Sequence, residues 1–192
     1  MGIRDIQKEE TRKNILEHTK ELLYKNGFIK VSTKEISKAS NVSQGSIFLH
    51  FTSKDNLLLT IFTEGMQNIE LQLKNILDSN LTRETFLKDL LDVLSIHENL
   101  LSRIYKDYFY LDNEFIKLVE QTENHIKNKL FDNLRVTSSS KLNIIDSFIS
   151  IDAFLSQIKQ YLIEKDVVSE FNSVLKQKRG KLIKLYKVLF GA

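Results

Sequence analysis

Residues 32–51, STKEISKASNVSQGSIFLHF, read as two short helices joined by a tight turn. Ser32 and Glu35 stand three apart at the head of the first. The serine hydroxyl accepts from the backbone N–H of Glu35 while the carboxylate reaches back to the N–H of Ser32, the reciprocal capping box that starts a helix. Ile36 and Ala39 give that helix its inward face, and Ser40-Asn41-Val42 makes a three-residue turn with Val42 directed to the core. Ser43 then caps a second helix carrying Ile47 and Phe51. This is helix-turn-helix spacing.

The second helix of such a unit lies in the DNA major groove with its first turn against the base edges. Here that turn holds Ser43, Gln44, Gly45 and Ser46. The two hydroxyls suit phosphates or base edges, and the Gln44 amide can bind N6 and N7 of adenine together. Glycine costs about 1 kcal/mol relative to alanine in a helix interior, so something other than helix propensity favours Gly45. With Phe48, Leu49 and His50 further along, Thr33 and Lys34 on the preceding helix, and Lys54 beyond, these residues form the expected DNA-contact set. Thr52-Ser53 can cap a helix beginning at Lys54-Asp55. A cation at the positive end of that helix is disfavoured unless a phosphate lies nearby.

Across about 50 residues the chain resembles the TetR-type one-component transcriptional regulators. The likeness rests on Ile15-Leu16, Leu22-Leu23 and the closing Gly27 of the opening helix, then Ser32-Thr33 before Ile36, Asn41-Val42-Ser43 with Gly45, and finally His50-Phe51 with Lys54. The family commonly has a tyrosine that touches the DNA backbone where this chain has Phe48, which keeps the van der Waals contact without the hydroxyl. The resemblance implies a helical ligand-binding region behind the reader, a homodimer, and repression relieved by a small molecule.

Zero Pro and six Gly in 192 residues leave few helix interrupters, and no segment alternates at period two, so the chain is expected to be all helical. About nine helices are expected, divided into a DNA-binding domain at 1–53 and a ligand-binding and dimerisation domain at 54–192. A polar, acid-containing start and the lack of a long apolar run point to the cytosol. Zero Cys excludes disulfides and thiol chemistry. The net charge of +3 is localised: residues 1–55 hold ten Lys or Arg against seven acids, and residues 56–192 hold 18 of each. Only the reader carries the surplus, as expected if only that part meets phosphates.

The first helix, about 6–26, turns Ile15, Leu16, Thr19, Leu22 and Leu23 to one side; its Arg4, Lys8 and Arg12 are equally suited to DNA backbone and to a solvated face. From Lys54, the stripe Leu58, Phe62, Ile69, Leu73 and Ile76 continues for some 25 residues, a rigid rod longer than an average helix. Ligand-driven tilting of that rod would move Lys54 and the reader. Three helices are expected at 83–95, 98–111 and 113–134. The resemblance puts a ligand pocket among these and the rod, with Phe62, His97, Arg103, Tyr105, Tyr108, Phe109, His125 and Asp152 as candidate lining. The aromatic density favours an apolar or aromatic ligand. The four His show no metal-ligand spacing, so no metal or cofactor is expected.

RVTSSSK, 135–141, reads as a linker to two last helices. Each is apolar on two sides and needs two partners. A second copy of the chain supplies one, forming a four-helix interface through Phe148, Ile151, Leu155, Ile158, Leu175, Leu182, Leu185 and Leu189. The expected function is a homodimeric, sequence-specific DNA-binding regulator, released as a repressor from a palindromic operator by a small molecule. An activator or a ligand-independent regulator has the same sequence features. A small helical enzyme or ligand carrier is disfavoured, because the chain has no nucleophile with a base, no paired carboxylates and no cofactor loop.

Overall fold

The computed structural model describes residues 2–77, 81–137, 143–165 and 173–190, and the described residues are helical with no strand. Three helices form the N-terminal unit: α1 (Ile3–Asn26), α2 (Thr33–Ser40) and α3 (Gln44–His50). The body consists of α4 (Lys54–Leu77), α5 (Arg83–Ile96), α6 (Glu98–Asp107), α7 (Asn113–Thr137), α8 (Ile144–Glu164) and α9 (Val174–Phe190), with a 3₁₀ turn at Tyr108–Tyr110. The helix expected at 98–111 therefore tightens at Tyr108. The segment expected as a linker is helical through Thr137; residues 138–142 lie outside the described part, as does Phe171, the expected first apolar residue of the last helix.

The apolar stripe of α1 folds as expected, with Ile15 and Leu23 fully buried and the Thr19 hydroxyl donating to the Ile15 carbonyl at 2.6 Å. α1 packs on α2, α4 and α6. In α4 the expected stripe is joined by Leu57, Ile61 and Met66, all buried, because this helix meets α1 on one side and α5 and α7 on others. A side chain at Gly65, midway along α4, would run into Leu100 of α6, so glycine lets the two helices cross closely.

Gly27 ends α1 at φ +86°, a backbone conformation that disfavours other residues. A Cβ there would also lie 2.8 Å from Arg103 Nη1 and 3.2 Å from Asp107 Oδ2. Both side chains reach from α6: Arg103 donates to the Tyr24 carbonyl at 3.1 Å, and Asp107 accepts the Phe28 N–H at 2.8 Å. The far end of α6 is tied as firmly. The Glu98 carboxylate, 4% exposed, accepts from Lys165 Nζ at 2.6 Å, the Ser173 hydroxyl at 2.6 Å and the N–H groups of Val174 and Leu175. One helix thus holds the end of α1 at its C-terminus and the α8–α9 junction at its N-terminus.

The last two helices carry apolar residues on two faces, and most of the expected interface set lies on the face that packs inside the chain. Ile151, Leu155, Ile158, Leu175 and Leu182 are buried within the chain, because α8 lays that face on α6 and α9, and α9 lies on α5. Leu185 and Leu189 are half-buried against the same core. Of the expected set, Phe148 alone is exposed, at 42%, and it stacks on Phe131 at 4.6 Å. The uncovered face carries Ile144, Ile145 and Ile149, each more than 60% exposed, with Val188 on α9. Lys178, which interrupts the stripe of α9, lies over the Tyr161 ring at 5.6 Å.

Candidate nucleic-acid interface

Local hydrogen bonds build the turn between α2 and α3. Ser32 Oγ accepts from Glu35 N at 3.3 Å while Glu35 Oε2 accepts from Ser32 N at 2.9 Å, so the capping box is formed. Ser32 also donates its hydroxyl to the same carboxylate, and these bonds hold Glu35 below the usual carboxylate range. Asn41 takes the left-handed conformation at φ 53°, which asparagine tolerates and which ends α2. Ser37 Oγ then donates to the Val42 carbonyl at 2.6 Å, and Asn14 of α1 donates to the Ser40 carbonyl at 2.7 Å. Ser43 Oγ accepts from Ser46 N at 3.0 Å and starts α3.

With only seven residues, α3 buries Ile47 completely, and Phe51 follows at 3% exposed. The opposite side faces outward: Ser43, Gln44 and Gly45 are exposed, Ser46 is half-buried, and Phe48 and Leu49 are 50% and 80% exposed. Thr33 and Lys34, at the start of α2, lie beside this turn, and the Thr33 hydroxyl donates to Gln44 Oε1 at 3.3 Å. Lys54 opens α4, whose first turn is capped by Ser53 Oγ accepting from Asn56 N at 3.0 Å. His50 is half-buried at the end of α3; burial first, then the cations Lys8 and Arg12, push its imidazole below the ordinary value, against an opposing pull from Glu9. Arg12 lies over the Phe51 ring at 5.3 Å and reaches Glu64 at 3.8 Å.

The expected ligand residues do not converge. Phe62 is fully buried between Phe28 and Phe115, with ring centroids at 5.2 and 4.5 Å, so it is core. Phe109 is 93% exposed on the 3₁₀ turn, and Tyr108 donates outward to Glu120 at 3.4 Å. Tyr105 lies beneath Lys159, whose Nζ is 5.3 Å from the ring, and burial raises its hydroxyl far above the ordinary value. His125 borders a gap of about 10 Å³ beside Leu73, and Asp152 is exposed and paired with Lys127 at 2.7 Å. His97 keeps a buried Nε2 without a hydrogen-bond partner; burial, with Lys20 nearby, lowers its pKa. Of these residues Arg103 borders a cavity of about 540 Å³, whose walls come from α1, α2, α6 and the end of α8 and so leave no pattern along any one helix. Among the described residues no cluster of three His, Asp or Glu could hold a metal, and no helix is long and apolar enough to cross a membrane.

The family model of bacterial regulatory proteins, tetR family, matches residues 15–61, which span the second half of α1, all of α2 and α3, and the start of α4. The chain is 30% identical over 126 residues to the HTH-type transcriptional regulator QacR of Staphylococcus aureus, covering 62% of this chain and 63% of that protein. A solved transcriptional regulator from Aquifex aeolicus VF5 is 25% identical, with a TM-score of 0.70 over 94% of this chain and 99% of that one. The fold is also that of AibR, solved in complex with isovaleryl coenzyme A and operator DNA, at a TM-score of 0.71 and 16% identity over 94% of this chain and 98% of that one.

Proposed function

Since the chain belongs to the TetR family of bacterial regulatory proteins and is a DNA-binding transcriptional regulator, we propose that it is a homodimeric repressor that leaves a palindromic operator when a small molecule binds. The reader is residues 1–53. Its contact set is Thr33, Lys34, the first turn of α3 from Ser43 to Ser46, then Phe48, Leu49, His50 and Lys54. The body, residues 54–192, binds the effector and the second copy.

The observation that carries this reading is Gly45. A Cβ at that position would meet only Ser43 Oγ, at an ordinary 3.7 Å. Nothing inside the chain requires glycine there, which fits a backbone that approaches a duplex closely. The uncovered face of Ile144, Ile145, Phe148 and Ile149 supports the dimer, since such an apolar patch calls for a partner and a two-fold axis pairs it with itself. Two readers then lie about 34 Å apart, one duplex turn. The ligand in the AibR complex supports a small-molecule effector here. A protein acting on chromosomal DNA works in the cytosol.

The test is binding of the purified protein to DNA selected from a random pool, across a salt series, beside a Gln44→Ala, Lys54→Ala variant. Tight, salt-dependent binding to a palindromic site, lost in the variant, is expected. Equal, weak binding by both proteins overturns the assignment of the reader. A reporter carrying the selected site over its promoter then tests repression: its output should fall when the protein is present.

A further inference from the structure

The cavity of about 540 Å³ lies where α1 and α2 of the reader meet α6 and the end of α8. Its wall carries three cations, Lys25, Arg103 and Lys165, the Ser102 hydroxyl, and one opposing carboxylate, Glu21. Two of the cations are largely withdrawn from water, with side-chain exposures of 11% for Arg103 and 7% for Lys165. Arg103 is the less satisfied of the two. Arg103 holds the neutral carbonyl of Tyr24 at 3.1 Å and lies 3.9 Å from Asp107, while Lys165 is shared between Glu98 and the Asn99 side chain. Lys25 adds an exposed charge at the rim.

Resting on the reading of the chain as a ligand-released regulator, we infer that this interdomain cavity, shared by the reader and the body rather than lying in the body alone, is the effector site for a small organic anion bearing carboxylate or phosphate groups. Its volume suits a metabolite-sized ligand. Two of the aromatic residues expected to line an apolar site do not do so: Phe62 is core and Phe109 is far out on the surface. An anionic oxygen in the cavity competes with the neutral Tyr24 carbonyl for the Arg103 guanidinium, which a carboxylate or phosphate can engage as a bidentate ion pair. Drawing Arg103 into the cavity removes its hold on the last turn of α1, which Gly27 brings into contact with it. The reader then moves relative to α6, and the ligand acts by its differential affinity for the two arrangements.

The experiment is calorimetric titration of the full-length protein, without DNA, using citrate for the carboxylate source and pyrophosphate for the phosphate source at constant ionic strength. Saturable binding of one of them, one per chain, is expected. Lys25→Glu, at an exposed position that leaves the fold intact by circular dichroism, should weaken it about tenfold or more, the scale of losing one charged partner. Saturation should also lower operator affinity about tenfold, within the usual range of coupling between sites. Failure of both anions to bind at millimolar concentration overturns the inference. So does equal binding by wild type and Lys25→Glu, which places the anion elsewhere, and so does binding without any change in operator affinity. Loss of operator binding in the absence of anion would instead count against the DNA-reading assignment, since the calorimetry uses no DNA.

Discussion

The carboxylate of Asp107 accepts the backbone N–H of Phe28 at 2.8 Å, across 79 residues of sequence, and so fixes the exit of α1 to the end of α6. Asp107 is 9% exposed, and Gly27 next to Phe28 has no room for a side chain on that side. Reader and body are joined here by a specific polar contact as well as by the α4 rod.

Asp107→Ala should leave the Phe28 N–H without a partner and cost about 1–3 kcal/mol in urea denaturation. Asp107→Asn retains an acceptor and should cost less than half as much. Equal losses would show that the hydrogen bond is not what stabilises the joint.

Removing Glu98 strands the buried Lys165 charge and uncaps α9, so Glu98→Ala should destabilise by about 3–5 kcal/mol, the usual cost of breaking a buried pair. Adding Lys165→Met should restore part of that. The remainder belongs to the N–H groups of Val174 and Leu175, which a double-mutant cycle separates from the ion pair.

Gly45→Ala should leave stability unchanged or raise it by up to about 1 kcal/mol, since alanine favours the helix and the site has space. Operator affinity should fall by an amount comparable with one mismatched base pair, about 1–3 kcal/mol. Thermal unfolding and fluorescence anisotropy on the same sample decide it; unchanged affinity would remove Gly45 from the contact set.

Ile145→Asp with Ile149→Asp alters side chains that the folded chain leaves more than 60% exposed, so helicity should be retained. Sedimentation should report a dimer for the wild type and a monomer for the variant. Ile158→Asp, at 3% exposure, should instead destabilise the chain itself, by more than 3 kcal/mol for an unpaired buried charge.

The lowered pKa of Glu35 makes the start of α2 sensitive to acid. Its cause is the Ser32 hydroxyl first and the Ser32 N–H second. A carboxyl depressed in the folded state stabilises above its unfolded pKa, and that contribution is lost as the pH falls through the folded value. Wild type should therefore exceed Glu35→Gln in melting temperature near neutral pH. The two should converge once the pH is below the usual glutamate range. A difference that stays constant into acid would exclude the charged capping box.

Much of the fold was legible because its signals are local. The capping box at Ser32 and Glu35, the turn through Asn41, the caps at Ser43 and Ser53 and the Gly27 stop each involve residues a few positions apart. The ligand side was not legible for the opposite reason. Aromatic residues at helical spacing have the same pattern whether they line a cavity or fill a core, and Phe62 fills a core.

The sequence by itself determined where α2, α3, α4 and α5 start, that α3 turns Gln44 and Gly45 away from Ile47, and that α8 and α9 are apolar on two sides. It did so because hydrogen-bond partners at caps and the 3.6-residue period are set within one or two turns of chain. Only the tertiary structure decided which apolar face of α8 lies inside, since both faces carry isoleucine and the choice depends on what α6 and α9 present to them. It alone also brought Lys165 to Glu98 and Arg103 to Tyr24, across 67 and 79 residues, and formed a partly open cationic cavity where α1 and α2 meet α6. Such contacts depend on helix packing in three dimensions, and periodicity along one helix carries no record of its neighbours.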